Sequence, residues 1–266
     1  MRLRNLTLDQ LTIEDERSFR HVALYDALKE VLRRDGFRFR VPEPGSRDAT
    51  WDRVLFLNLT FWSAQEPADV LVDDHIAADV VAHAAWHHLA RKSLPAASSA
   101  DALLLGEAIA SAFDLYLVGR LLGHAPDSDF LRTQVPAMAE VAQAAGMAER
   151  DFEALLEGVA EDPDRAFEDL RQLLFDAGTA LMGCADVDAG AAALEGLDAR
   201  RFAPLLHHYE LSNWVLYARA YTKFRGDPDT SVRGVDALLR SAPVALDWLE
   251  THWIGGTPVA KPPSLE

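Results

Sequence analysis

The spacing of apolar and polar positions changes along this chain, and the change divides it. Leu24, Ala27, Leu28, Val31 and Leu32 recur at helical intervals and predict a helix within residues 14–35, closed by Gly36. Residues 37–41 alternate Phe with Arg, the period-2 pattern of a half-buried strand. Pro42, Pro44, Gly45 and Ser46 then mark a loop. The strongest strand signal is 54–62, with Leu55, Leu57, Leu59 and Phe61 on one face against Asn58 and Thr60 on the other. A further short strand is predicted over 69–72.

From Asp74 onward the spacing is helical almost throughout. Asp73 or Asp74 can cap a helix running to Lys92, because a side-chain oxygen there satisfies an otherwise unpaired N–H. A second helix is predicted over 101–122. Others follow at 129–145, 150–159, 164–181, 186–195, 204–222, 230–240 and 243–253, punctuated by Gly146, Pro163, Gly183, Gly226 and Pro243. The expected fold class is α+β, mostly α. A mixed α/β part (1–73) leads into a pair of helices (74–125) and a helical C-terminal part (126–266), which together can form one compact domain.

Composition narrows the function classes. Apolar residues make up 49% of the 266 positions and charged residues 26%, an ordinary globular balance. Lys and Arg number 26 against 42 Asp and Glu, so the formal net charge of −16 disfavours nucleic acid and anionic membrane as partners. Cys184 is the single cysteine, which excludes an internal disulfide and a Cys-ligated structural zinc site within one chain. The first residues lack the apolar run of a signal peptide, and no stretch approaches the roughly 20 apolar residues of a membrane span. A soluble cytoplasmic protein is the expectation. No Gly-x-Ser-x-Gly, phosphate-binding loop, Gly-x-Gly-x-x-Gly or Glu-x-x-His unit occurs, so serine-hydrolase, nucleotide-dependent and di-iron bundle readings find no support.

One constellation suggests chemistry. His83 and His87 stand four apart, on one side of a helix and about a turn from each other, so both imidazoles can reach a single metal ion. Glu107 follows 20 residues after His87 on the next helix and can supply a third ligand. On a helical wheel Ile76, Val80, His83, His87 and Ala90 share about 80° of arc, and Leu103, Glu107, Ser111, Asp114 and Val118 form a similar stripe. Buried imidazoles and a buried carboxylate need partners, and a shared cation answers both needs. Two imidazoles, a carboxylate and an open position suit zinc; iron(II) accepts the same set. The alternative is a metal-free His–Glu hydrogen-bonded pair.

The run His83-Ala84-Ala85-Trp86-His87 with its downstream Glu107 resembles the metal-binding core of the gluzincins, the thermolysin-like zinc peptidases, over about residues 54–118. That family carries His-Glu-x-x-His followed by a glutamate ligand at about this distance. The resemblance implies zinc on His83, His87 and Glu107. It also implies a general base in the position that Ala84 occupies here, and a methyl group can neither take a proton from water nor pass one to a leaving amine. The family has an acidic residue one turn after the glutamate ligand, where this chain has Ser111, and Asp114 is expected to lie too far along its helix to replace it. Gluzincins also place a Tyr or His from the C-terminal half beside the metal; His207, His208 and Tyr209 are the candidates, with Glu210 a further candidate base.

The leading expectation is therefore a zinc-binding, metallopeptidase-like protein without ordinary peptidase activity, whose partner is a small molecule, a peptide or a protein. A metal-dependent enzyme of another class, an iron oxygenase or a hydrolase with a different base, is the first alternative. A metal-free helical interaction module is the second. His75 and His88 are expected on the outer flanks of their helix rather than at the metal.

Overall fold

The computed structural model describes residues 2–43, 70–94, 99–222 and 228–257, and the strand expected over 54–62 lies outside them. Strand β1 (Leu3–Thr7) pairs antiparallel with β3 (Arg38–Pro42), Leu3 opposite Pro42 and Thr7 opposite Arg38. Strand β2 (Thr12–Glu14) pairs in parallel with β4 (His75–Ala77), and of the strand expected over 69–72 the described residues 70–72 show only an isolated bridge, Arg40 to Val70. Between these strands, helix α1 (Ala23–Arg34) buries Leu24, Tyr25, Leu28, Val31 and Leu32. Gly36, at φ +63°, closes it: Gly36 N–H donates to the Arg33 carbonyl and Phe37 N–H to the Leu32 carbonyl, satisfying the last turn through a left-handed residue.

The first helix is shorter than the spacing suggests. Residues 16–19 form a 3-10 turn, and Asp15, at φ 55°, breaks the chain between it and β2. The next boundary also moves. Asp73 and Asp74 do not cap a helix; Asp73 accepts from the His75 amide, the Asp74 carbonyl from Thr12, and His75 lies exposed on β4 beside Glu14. Helix α2 (Ala78–Ser93) starts after that strand.

Helix α3 (Ala100–Leu122) is capped by the Ser99 side chain, which accepts from the Ala102 amide. Contrary to the expectation from sequence, this helix is long and apolar enough to cross a membrane, but 89% of its apolar window is buried inside the protein. Apolar character all round is what a central helix requires. Around it pack α2, α4 (Asp129–Ala144), α5 (Glu149–Glu161), α6 (Pro163–Gly183), α8 (Leu211–Tyr221) and α9 (Thr230–Ser241), with α7 (Val187–Glu195) outside on α6. Ser128, Asp162, Asp186 and Asp229 cap four of these helices through side-chain oxygens. On α6, the fully buried Arg171 donates to Glu168 and to Asp236 of α9 at 2.7 Å.

A short α10 (Ala245–Leu249) continues into one π-helical turn, Glu250–Ile254, which packs on α1 and α2. One apolar core consequently runs from Leu8 to Trp253. The class is α+β, mostly α, as the patterning indicates.

Asp35, just past α1, joins that helix to α2. It accepts from Lys92 Nζ at 2.7 Å, His88 Nε2 at 2.8 Å and Arg34 Nε at 3.2 Å. Burial alone raises its pKa, but these hydrogen bonds outweigh it and hold the carboxyl well below the usual carboxylate range. As pH falls the unfolded chain takes up this proton first, so the contribution is full above about pH 5 and lost progressively below about pH 4. Asp35→Asn should cost about 1 kcal/mol at pH 7 and clearly less at about pH 2, because the contribution is exhausted only as pH falls through the depressed folded-state value, read from urea unfolding of both proteins.

Candidate metal centre

Small residues let α2 and α3 lie close together. A Cβ built on Gly106 would stand 3.2 Å from the Ala90 Cβ, tighter than ordinary packing. Ala90 meets Gly106, His87 meets Glu107 and His83 meets Asp114, so the helices run antiparallel and their facing residues climb in opposite directions. The wheel misplaces the buried face of α2. Val80 is 38% exposed, and the core side is Val81, Ala82, Ala85, Trp86 and Leu89. Alanine is small enough to let neighbouring elements cover most of the helix, which leaves His83 and His87 at the edge of the packed face rather than in its middle.

One possible ligand atom each from His83, His87 and Glu107 lies within 4.8 Å of the others, so the three residues can bind a metal ion. His87 Nε2 stands 3.3 Å from Glu107 Oε1. Bonds of about 2.0–2.1 Å in a tetrahedral shell place neighbouring donors about 3.3 Å apart, so this pair already has the spacing. Glu107 is only 4% exposed. Burial, aided by the neighbouring His83, pushes the His87 pKa well below its ordinary value, which keeps the ring in the neutral form that ligates metals.

His83 Nδ1 lies 3.0 Å from Asp114 Oδ2. This contact overturns the expectation that Asp114 is too far along α3 to take the orienting role. Glu107 serves the later histidine and Asp114 the earlier one, and side chains on α3 lean toward its N-terminus, so a separation of seven residues is bridged. With Asp114 on Nδ1, His83 would hold a metal through Nε2, the arrangement in which a carboxylate fixes ring orientation and tautomer. Ser111, buried one turn after Glu107, lines the site without taking that part.

The centre opens into a cleft of about 600 Å³. His83, Glu107, Ser111 and Asp114 are among its lining residues, and Leu115, Val118, Met138 and Trp214 give it apolar wall. His208, Tyr209 and Glu210 also line the cleft, whereas His207 is exposed and is not among its lining residues. Burial lowers the His208 pKa against the opposing charges of Asp114 and Glu210. Burial and the Asp114 charge raise the Tyr209 hydroxyl far above its ordinary range, so it stays a protonated phenol.

Residues 204–222 are not one helix. A 3-10 run (Ala203–Tyr209) ends at Glu210, which is left-handed at φ 51°, ψ 35°, and α8 starts after it. That conformation costs roughly 1–2 kcal/mol for a residue with a Cβ. Two local bonds hold it: Glu210 N–H donates to the His207 carbonyl at 3.3 Å, and the Glu210 carbonyl accepts from Asn213 N–H at 2.8 Å. The break turns Tyr209 inward, while Leu216 is 64% exposed at the cleft.

Sequence reasoning missed three further contributors. Trp214 and Tyr217 bring α8 to the cleft, although nothing in their spacing distinguishes them from core aromatics. Asp79 sits one turn before His83, on the i, i+4, i+8 line through both histidines, and that line was available as a signal. Burial and the Asp114 charge push its carboxyl up to about 6. No family model, curated protein or solved structure matches this chain.

Proposed function

We propose that this chain is a zinc-binding protein that holds the ion on His83, His87 and Glu107 and receives a ligand in the adjoining cleft, without acting as an ordinary peptidase. The observation that carries this reading is the convergence of three metal-competent side chains, one a buried carboxylate, with a separate carboxylate, Asp114, on His83 Nδ1. The donor set fits the ion: two imidazoles and one carboxylate leave a position open toward the cleft. When bound, zinc supplies a Lewis acid there.

The remaining roles belong to the chain. Asp114 fixes the His83 ring, burial keeps His87 neutral, and Tyr209 presents a phenolic O–H that can donate to an oxygen of the ligand. Ala84 supports the negative half of the proposal, since it is 2% exposed and carries no proton-transferring group. The resemblance to gluzincins thus extends to the metal cradle and stops at the base. A second reading, a metal-dependent hydrolase of another class, rests on His208 and Glu210 lining the same cleft as the metal residues.

Elemental analysis of protein purified without chelator tests the first half, with about one zinc per chain expected; iron would favour an oxygenase, and no metal the interaction module. Asp114→Asn should keep the fold and lower zinc affinity about 10–100-fold, measured by competition with a chromogenic chelator. Unchanged affinity would remove Asp114 from the centre.

A further inference from the structure

The charge on the cleft walls is one-sided. Among the described residues no Lys or Arg lines it, while Glu107, Asp114 and Glu210 all do. On the metal-bound reading, on which this inference rests, the two positive charges of the ion are matched by Glu107 and Asp114. Glu210 is then the charge left over. Its carboxylate accepts from Asn213 Nδ2 at 2.9 Å, and no cationic side chain pairs with it among the described residues. It is also the residue that the chain holds in a left-handed conformation at the start of α8. Glu210 is exposed on the cleft wall and placed there by its left-handed backbone, so its carboxylate is accessible to a ligand that enters the cleft.

The surroundings define what such a carboxylate can attract. Tyr209, Trp214 and Tyr217 bring three aromatic rings to the same cleft, and aromatic faces favour a cation over an anion. Leu115, Val118 and Met138 provide apolar wall beyond them. An organic anion would meet Glu210 with no compensating side chain, and a neutral molecule would leave its charge unused.

We propose that the cleft selects an apolar molecule bearing a positively charged ammonium group, with the charge held at Glu210 among the aromatic rings and the apolar body along α3 and α4. Charge complementarity and the apolar walls commit the site to this one class.

A charge series on one six-carbon chain tests it. Hexylamine, hexyltrimethylammonium, hexanol and hexanoate are titrated into the full-length protein at low salt and followed by ligand-observed NMR, with metal content measured on the same preparation. The quaternary ammonium cannot ligate a metal, so its binding reports the cation site alone. Both cations should bind about tenfold more tightly than hexanol; hexanoate, whose carboxylate can itself ligate zinc, is compared in metal-stripped protein, where it should be weakest. Glu210→Gln, which keeps the shape and the acceptor for Asn213, should remove that preference and leave hexanol unchanged. Hexanol binding as tightly as the cations, or hexanoate doing so in metal-stripped protein, overturns the inference, as does a preference that survives in Glu210→Gln, or no binding by any of the four. Cation preference in protein without metal would sustain the inference and defeat the zinc reading. Zinc at one per chain with no cation preference would do the reverse.

Discussion

His87→Ala is expected to yield protein with no metal after purification, and to lower stability as well. Both effects come from one contact. His87 Nε2 lies 3.3 Å from Glu107 Oε1, and Glu107 is buried. Removing the ring deletes a ligand and withdraws His87 from a carboxylate that water scarcely reaches, a loss of roughly 2 kcal/mol before the lost metal is counted. His83→Ala should lose the metal equally but cost less stability, because the carboxylate beside it is 26% exposed and better solvated. Should either variant unfold, Glu107→Gln serves instead: the amide keeps shape, loses charge, and should abolish the chelator sensitivity of the melting temperature that metal-loaded wild type shows. A wild-type melting temperature indifferent to rigorous metal removal would count against the site.

Zinc-loaded protein should cleave casein and quenched peptide libraries at background only. A positioned proton-transfer group contributes roughly 10²–10⁴-fold, and the residue after His83 offers none. Restoring the carboxylate should not restore the activity. Ala84 is 2% exposed and is not among the residues lining the cleft, so Ala84→Glu forces a charge into packed surroundings, and the expected result is a lower melting temperature with unchanged background turnover. Chelator-sensitive cleavage by wild type would instead show that another residue, with His208 and Glu210 placed to serve, supplies the base.

The helical half was legible because its signals are local. Ser99, Ser128, Asp162, Asp186 and Asp229 mark helix starts by their own chemistry, and periodicity continues between them. The failures have non-local causes. Asp73 and Asp74 look like caps until β4 finds β2, a partner 61 residues away at the Glu14–His75 contact. The run from 204 to 222 keeps helical spacing through Glu210, and only its backbone angles reveal the break. In the site, the three metal-competent residues were readable from spacing. The Asp114–His83 contact was not, because it depends on antiparallel docking of two helices and on the lean of side chains along α3. The cleft wall from α8 has no sequence signature for the same reason.

Asp15 carries a consequence for the order in which this molecule is made. Its side chain accepts from the amides of Asp129 and Phe130, at 2.9 and 3.4 Å, so a residue near the beginning of the chain completes the first turn of α4. During synthesis that carboxylate waits for more than a hundred residues to emerge before its partner exists. The π-helical turn near the other end likewise docks on α1. Contacts that link early residues to late ones close long loops and form slowly. Assembly is therefore completed late: the early strands and α1 acquire their final neighbours only when the last helices arrive, and a nascent chain halted in between would present unfinished apolar surface to whatever surrounds it.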